Sequence, residues 1–144
     1  TERDILLATT GAQEAEVSAA FDPDQLLAAQ ALIRRMPVGE AIVELILDLV
    51  RAFRPEDPSA PAQVRENMRW GPGPRAAQAL MLAVRARALL RGAYAPSAQD
   101  VSDLAPAVLN HRMALGFGAR ARGITQLELI GDVTQMILEK KAEP

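Results

Sequence analysis

The sequence predicts an all-α fold, a bundle of about five or six helices. Three observations carry this. Alanine and leucine, both strong helix formers, dominate the composition. β-branched residues rarely cluster, so strands have little to start from. Apolar residues also recur at helical spacing between proline and glycine breaks. The 144 residues fit one domain comfortably. Aromatics make up 3% of them, so the core must be built from Leu, Ala, Val, Ile and Met.

The elements follow in order. Glu2 to Thr9, with Ile5, Leu6 and Leu7, reads as a short helix, and Gly11 to Ala20 as a small, polar loop. Asp22-Pro23 is a helix start, Asp as N-cap and Pro at the first helical position. That helix runs to about Arg35, with Leu26, Leu27, Ala29, Leu32 and Ile33 as its apolar stripe, and Pro37 ends it. A second helix is predicted from about Gly39 to Phe53. Ile42, Leu45, Ile46, Leu49 and Val50 face inward, Glu40, Glu44 and Asp48 face solvent, and Arg51 and Arg54 favour its C-terminal dipole. Pro55 to Pro61, with three prolines, is an irregular loop. Trp70-Gly-Pro-Gly-Pro-Arg75 is a rigid turn into a long helix, Pro74 to Arg91, stopped by Gly92. Ser97 to Asp100 forms a capping box that opens a helix through Leu104, which Pro106 interrupts or kinks. Gly116 to Gly123 is loose and basic. Thr125 to Glu128 is a second capping box, opening a last helix with Leu127, Ile130, Ile137 and Leu138 inward.

Charge and composition exclude several classes. Sixteen Lys and Arg face eighteen Asp and Glu, a net charge of −2, which argues against a dedicated binder of nucleic acid or anionic membrane. Cysteine is absent, so there are no disulfides or thiolate metal sites, and a reducing compartment is compatible. The longest apolar stretch, Ala76 to Leu90, is broken by Arg85 and Arg87 and is too short to span a bilayer. The start, Thr-Glu-Arg-Asp, lacks an initiator Met and a signal pattern and reads as an excised or processed segment.

Few residues offer chemistry. No Gly-x4-Gly-Lys-Ser/Thr loop occurs, and His111 is the single histidine. One feature is physically odd. Arg75 lies at the very start of a helix, where a cation opposes the dipole at a cost of roughly 0.3–1 kcal/mol. Unpaired N–H groups at a helix N-terminus attract anions, and an Arg beside them can grip a phosphate. Gly71-Pro-Gly-Pro74 would let backbone approach closely while holding the turn stiff. From the residues alone, a solvated Arg after a rigid turn is the plainer reading. His111 and Arg112 are expected to satisfy terminal carbonyls or an acidic neighbour, Arg85, Arg87 and Arg91 to line the polar side of their helix, Trp70 to pack over the core edge, and Met81 and Met113 to fill gaps.

From Trp70 to Leu115 the chain reads WGPGPRAAQALMLAVRARALLRGAYAPSAQDVSDLAPAVLNHRMAL. This stretch resembles the C-terminal lid domain of MoxR-family AAA+ ATPases. Gly71, Pro74, Arg75 and Ala76 match the family's Gly-x-Ser-Pro-Arg-Ala turn. Gly92 matches a Gly-Arg step, and Asp100 and Val101 an acidic helix start. Ala105, Val108, Leu109, His111 and Arg112 match an Ala-x-x-Val-Leu-x-His-Arg ending. Upstream, Leu26 to Ala31 and Val50 to Arg54 follow the two preceding helices. Gly73 replaces a serine, Ala93 an arginine, and Phe53 stands where threonine is frequent.

The resemblance implies a division into a lid over 1–115 and an extension over 116–144 whose amphipathic helix packs on or near the lid. It implies that Arg75 is the sensor 2 residue, contacting ATP phosphate, with Gly73 and Pro74 shaping its approach. Mg-ATP would be bound by the intact ATPase, none tightly by this chain, and no metal or catalytic residue is expected here. The implied partners are the chain's own AAA+ core, neighbouring ring subunits and clients with von Willebrand factor A domains, in chaperone-like remodelling in a bacterial cytoplasm. No nucleic acid and no membrane span are expected. The chain alone would not be an enzyme. Two other classes compete: a free-standing helical protein–protein interaction module presenting Trp70 and the last helix, and a nucleic-acid binder using Arg65, Arg69, Arg75, Arg85 and Arg87, which the net charge disfavours.

Overall fold

The computed structural model describes residues 1–11 and 18–142. The loop expected over Gly11 to Ala20 lies mostly outside them. Two compact units, Thr1–Gln30 and Ala31–Pro144, are considered separately.

The first unit holds α1 (Glu2–Thr10) and most of α2 (Pro23–Arg35). Asp22 caps α2 as its sequence predicts: its Oδ1 accepts from the Asp24 N–H at 3.0 Å, and Gln25 Oε1 accepts from the Asp22 N–H at 3.2 Å. The expected apolar stripe is only partly correct. Leu26, Leu27 and Leu32 are more than half exposed, as are Ile5, Leu6 and Leu7 of α1. Helical periodicity marks a face able to bury itself, not one that is buried.

The second unit is built on α3 (Glu40–Ala52), α5 (Pro74–Leu90), α6 (Ala98–Leu109) and α8 (Gln126–Ala142). Helix α3 packs on α5, α6 and α8, and α6 lies against both α5 and α8. Their buried faces follow the 3.6 period: Leu45, Ile46, Leu49 and Val50 on α3, and Ala76, Leu80, Val84 and Ala88 on α5. Phe53, fully buried just after α3, is the largest side chain in this core. The C-terminal end of α5 follows from Gly92. At φ +70° it adopts the left-handed conformation that glycine tolerates best, so the Gly92 and Ala93 N–H groups reach the Leu89 and Ala88 carbonyls, both at 2.9 Å.

Short elements fill one end. Helix α4 (Ala62–Asn67) runs into β1 (Met68–Trp70), which pairs antiparallel with β2 (Ala114–Leu115), Met68 opposite Leu115. The segment from Gly116, expected to be loose, instead forms helix α7 (Phe117–Ala121). It is held by buried Ala119 and by Arg122, whose Nη2 donates to the buried Asn67 Oδ1 at 2.6 Å. These anchors are far apart in sequence and leave no periodic signal.

Two further expectations need correction. Pro106 does not interrupt α6, which continues to Leu109. Packing on α5 and α8 offsets the lost backbone bond, a penalty of about 3 kcal/mol in an isolated helix. On α8, Ile130 is buried and Ile137 and Leu138 pack against the core, but Leu127 points outward, 55% exposed. Leu129 and Val133 complete the inner face beside Ile130, while Leu127 lies in the first turn on the open side. The two capping boxes form as read. Thr125 O–H donates to Glu128 Oε2 at 2.7 Å, and Thr125's hydroxyl and N–H hold the Glu128 carboxyl below its usual range. Lys141 Nζ of α8 pairs with Asp48 of α3 at 2.6 Å.

The Ser97 box carries the most electrostatic weight. Asp100 is 1% exposed, and its carboxylate accepts from the Ser97 N–H at 2.8 Å and the Ser97 hydroxyl at 2.9 Å. Arg91 Nη2 of α5 lies 2.6 Å away and Arg87 Nε 3.2 Å, the latter close enough for an ion pair but not aligned as a hydrogen bond. Arg87 also pairs with Asp103. Burial raises the Asp100 pKa, but the Ser97 bonds and then Arg91 and Arg87 outweigh it, so the carboxyl stays below the usual value. This cluster fastens α6 to α5.

A lowered folded pKa contributes stability that is complete above the unfolded value, about 3.9, and is lost as pH falls toward the folded one. Asp100→Asn should therefore cost about 3 kcal/mol near pH 7 in urea unfolding. Below about pH 4 its stability should fall less steeply than that of the parent chain, because the charge to be neutralised is gone.

Candidate functional site

The candidate site is the entry to α5. After α3 ends, the Arg54 N–H donates to the Arg51 carbonyl at 2.9 Å and the chain turns away. Further along the chain, Gly71 returns directly against this end. A Cβ on Gly71 would lie 2.2 Å from the Phe53 carbonyl oxygen and 2.7 Å from Arg54 Cα. Both are backbone atoms that cannot yield, so only glycine passes. Pro72 is buried, and its carbonyl accepts from Arg54 Nε at 2.9 Å.

Gly73 then serves as the N-cap residue, extended at φ −82° and exposed, with open space within 4 Å of where a Cβ would sit. Pro74 occupies the first helical position, where its missing N–H costs nothing. No side chain caps this helix; Pro74 has no N–H and the Ala76 N–H donates to the Gly73 carbonyl at 2.9 Å, so the Arg75 N–H is the first-turn donor left for water or a ligand. Arg75 follows, exposed, and none of the ion pairs among the described residues involves it. Ala76, almost fully buried, fixes the first turn to the core from below. Gly73, Pro74 and Arg75 thus stand together on the outside of an uncapped helix end.

The remaining candidates sit elsewhere. Arg87 and Arg91, expected on a solvated face, are spent on Asp100 and Asp103. Arg85 reaches the Arg34 carbonyl, at a long 3.4 Å. Arg112 Nη1 donates to the Val108 carbonyl at 2.7 Å, as expected for a residue at a helix end, and also contacts the exposed His111 ring. Trp70 lies on β1 with 49% of its surface exposed. Among the described residues no group of His, Asp or Glu is arranged to hold a metal ion. One groove of about 410 Å³ is lined by Leu32, Met36, Leu89 and Tyr94, another of about 320 Å³ by Asp48, Ile137 and Lys141. Neither is lined by Gly73, Pro74 or Arg75. Arg54, expected to favour the α3 dipole, also has a partner that its local sequence does not suggest. Its bond to Pro72 spans 18 residues and has no local signature.

Comparison with known proteins gives three findings. The sequence profile of the AAA lid domain family matches residues 61–132, which contain the whole α5 entry. Chaperone MoxR1 of Mycobacterium tuberculosis (strain ATCC 25618 / H37Rv) is 30% identical over 138 residues, covering 94% of this chain and 36% of that protein. The chain therefore spans about a third of the length of this relative. A crystal structure from Cytophaga hutchinsonii ATCC 33406, provisionally described as an ATPase, superposes with a TM-score of 0.78 at 22% identity, over 93% of this chain and 41% of that one. At that identity the match supports the fold.

Two substitutions separate the roles of the glycines. Gly71→Ala should destabilise the chain by more than about 2 kcal/mol, since the clash is with backbone. Gly73→Ser should be tolerated and should gain about 0.5 kcal/mol, from a new cap and a stiffer unfolded chain. Thermal or urea unfolding of both variants checks the pair.

Proposed function

The chain belongs to the AAA lid domain family, and from that premise we propose that it works as the lid of a MoxR-type AAA+ ATPase, sensing bound ATP through Arg75. The observation that carries this is the exposed Arg75, in no ion pair with a carboxylate among the described residues, at the N-terminus of a helix that no side chain caps. A guanidinium at the positive end of a helix dipole, with its own backbone N–H beside it, fits an anionic phosphate group.

In this reading, Mg-ATP and the residues that activate water belong to the nucleotide-binding core. The chain's own part is limited and physical. Arg75 grips a phosphate from outside, Gly73 and Pro74 keep side chains out of its path, and the Gly71–Pro72 turn sets its direction. The buried stripe Ala76, Leu80, Val84 and Ala88 then couples any pull on Arg75 to the whole second unit, which moves as a body. Residues 1–115 form the lid, and 116–144 an extension whose α8 packs back on α3 and α6.

The exposed apolar residues of α1 and α2 support docking onto a further protein surface, which this reading assigns to the parent's own core or a neighbouring ring subunit. Assembly into a ring in a bacterial cytoplasm, chaperone-like action on a client and pairing with a von Willebrand factor A domain protein complete the proposal. The similarity to a protein described as a chaperone supports the second of these. A free-standing interaction module draws on the same apolar faces but leaves the α5 entry without a role.

In the intact ATPase, Arg75→Ala should lower ATP turnover at least about tenfold at matched ring assembly. Unchanged turnover together with unchanged nucleotide affinity contradicts the assignment.

A further inference from the structure

We infer that Arg54 is a positioning residue for phosphate sensing, acting through Arg75; this rests on the reading that Arg75 contacts ATP. The reason lies in how the first turn of α5 is held. A helix entry is normally fixed by a side-chain cap, and α5 has none. Gly73 has open space where a side chain would sit and bonds only forward, its carbonyl accepting from the Ala76 N–H within the same turn, and Pro74 and Arg75 are exposed. On the C-terminal side the turn is anchored by Ala76.

On the N-terminal side it is anchored at one place, where Gly71 abuts the Phe53 carbonyl and Arg54 donates to the Pro72 carbonyl. The Arg54 bond is charge-assisted, half-buried and 2.9 Å long, the stronger class of hydrogen bond. It takes over the work of the missing cap without occupying the Arg75 N–H. Only Gly73 and Pro74 separate the pinned Pro72 carbonyl from Arg75. Loss of the Arg54 bond therefore lets the entry turn swing at Gly73 and blurs the aim of Arg75, while the core beneath stays packed.

The test is the ratio of ATP to ADP affinity in the intact ATPase, measured for Arg54→Ala, Arg75→Ala and the double variant. A purely structural role for Arg54 would weaken both nucleotides alike and leave the ratio unmoved. The expected result is a fall of about tenfold in the ratio for each single variant, the size of one lost charge-assisted bond. The double variant should fall no further than Arg75→Ala alone, because residues acting in series are not additive. If Arg75→Ala lowers the ratio but Arg54→Ala leaves it intact, or the two effects multiply, the inference about Arg54 is overturned and Arg75 keeps its role. If Arg75→Ala leaves the ratio unchanged, the reading beneath both fails. Should Arg54→Ala not fold, Arg54→Gln, which keeps the stem and loses the guanidinium, is judged by the same outcomes.

Discussion

Where Gly71 passes the carbonyl of Phe53, two stretches of backbone meet with no room for a side chain between them. That contact joins the end of α3 to the start of α5. Phe53 is buried beneath it, Arg54 bonds across it, and Pro72 and Pro74 restrict the chain on its far side. The direction of α5 follows, and with it the burial of Ala76, Leu80, Val84 and Ala88 against the other helices. The same constraint pushes Gly73, Pro74 and Arg75 outward. An exposed helix end presenting a cation is thus a consequence of how tightly the residues before it are packed.

The arginines of α5 make the contrast plain. Arg87 and Arg91 are committed to the buried Asp100 and to Asp103, and Arg85 leans on the Arg34 carbonyl. All three lie toward the C-terminal half of the helix, where the dipole favours positive charge. Arg75 lies at the opposite end, where the dipole disfavours it, and no carboxylate among the described residues offsets that cost. The proposed phosphate contact is what would offset that cost. The chain spans about a third of the length of its relative, and the proposal places the phosphate on a nucleotide-binding core.

Much of the fold was legible because its signals are local. Asp22-Pro23, Ser97 with Asp100, Thr125 with Glu128, and Gly92 each act over a few residues, and each forms the cap its sequence announces. What stayed hidden depends on distant partners. Pro106 sits in a helix packed on two sides, α7 is held where Arg122 reaches Asn67, and the inner face of α8 takes Leu129 and Val133 rather than Leu127. At the site, the unusual placement of Arg75 could be read from one turn of sequence. The Arg54 anchor could not, since nothing in the residues around position 54 points to position 72.

The central claim is that the entry of α5 meets the terminal phosphate of ATP. A structure of the intact ATPase with a non-hydrolysable ATP analogue tests it most directly. The account predicts the Arg75 guanidinium within charge-assisted hydrogen-bond distance of the γ-phosphate, about 2.7–2.9 Å, with the Arg54–Pro72 bond in place. Arg75 turned to solvent, with the phosphate held entirely by other residues, would contradict it.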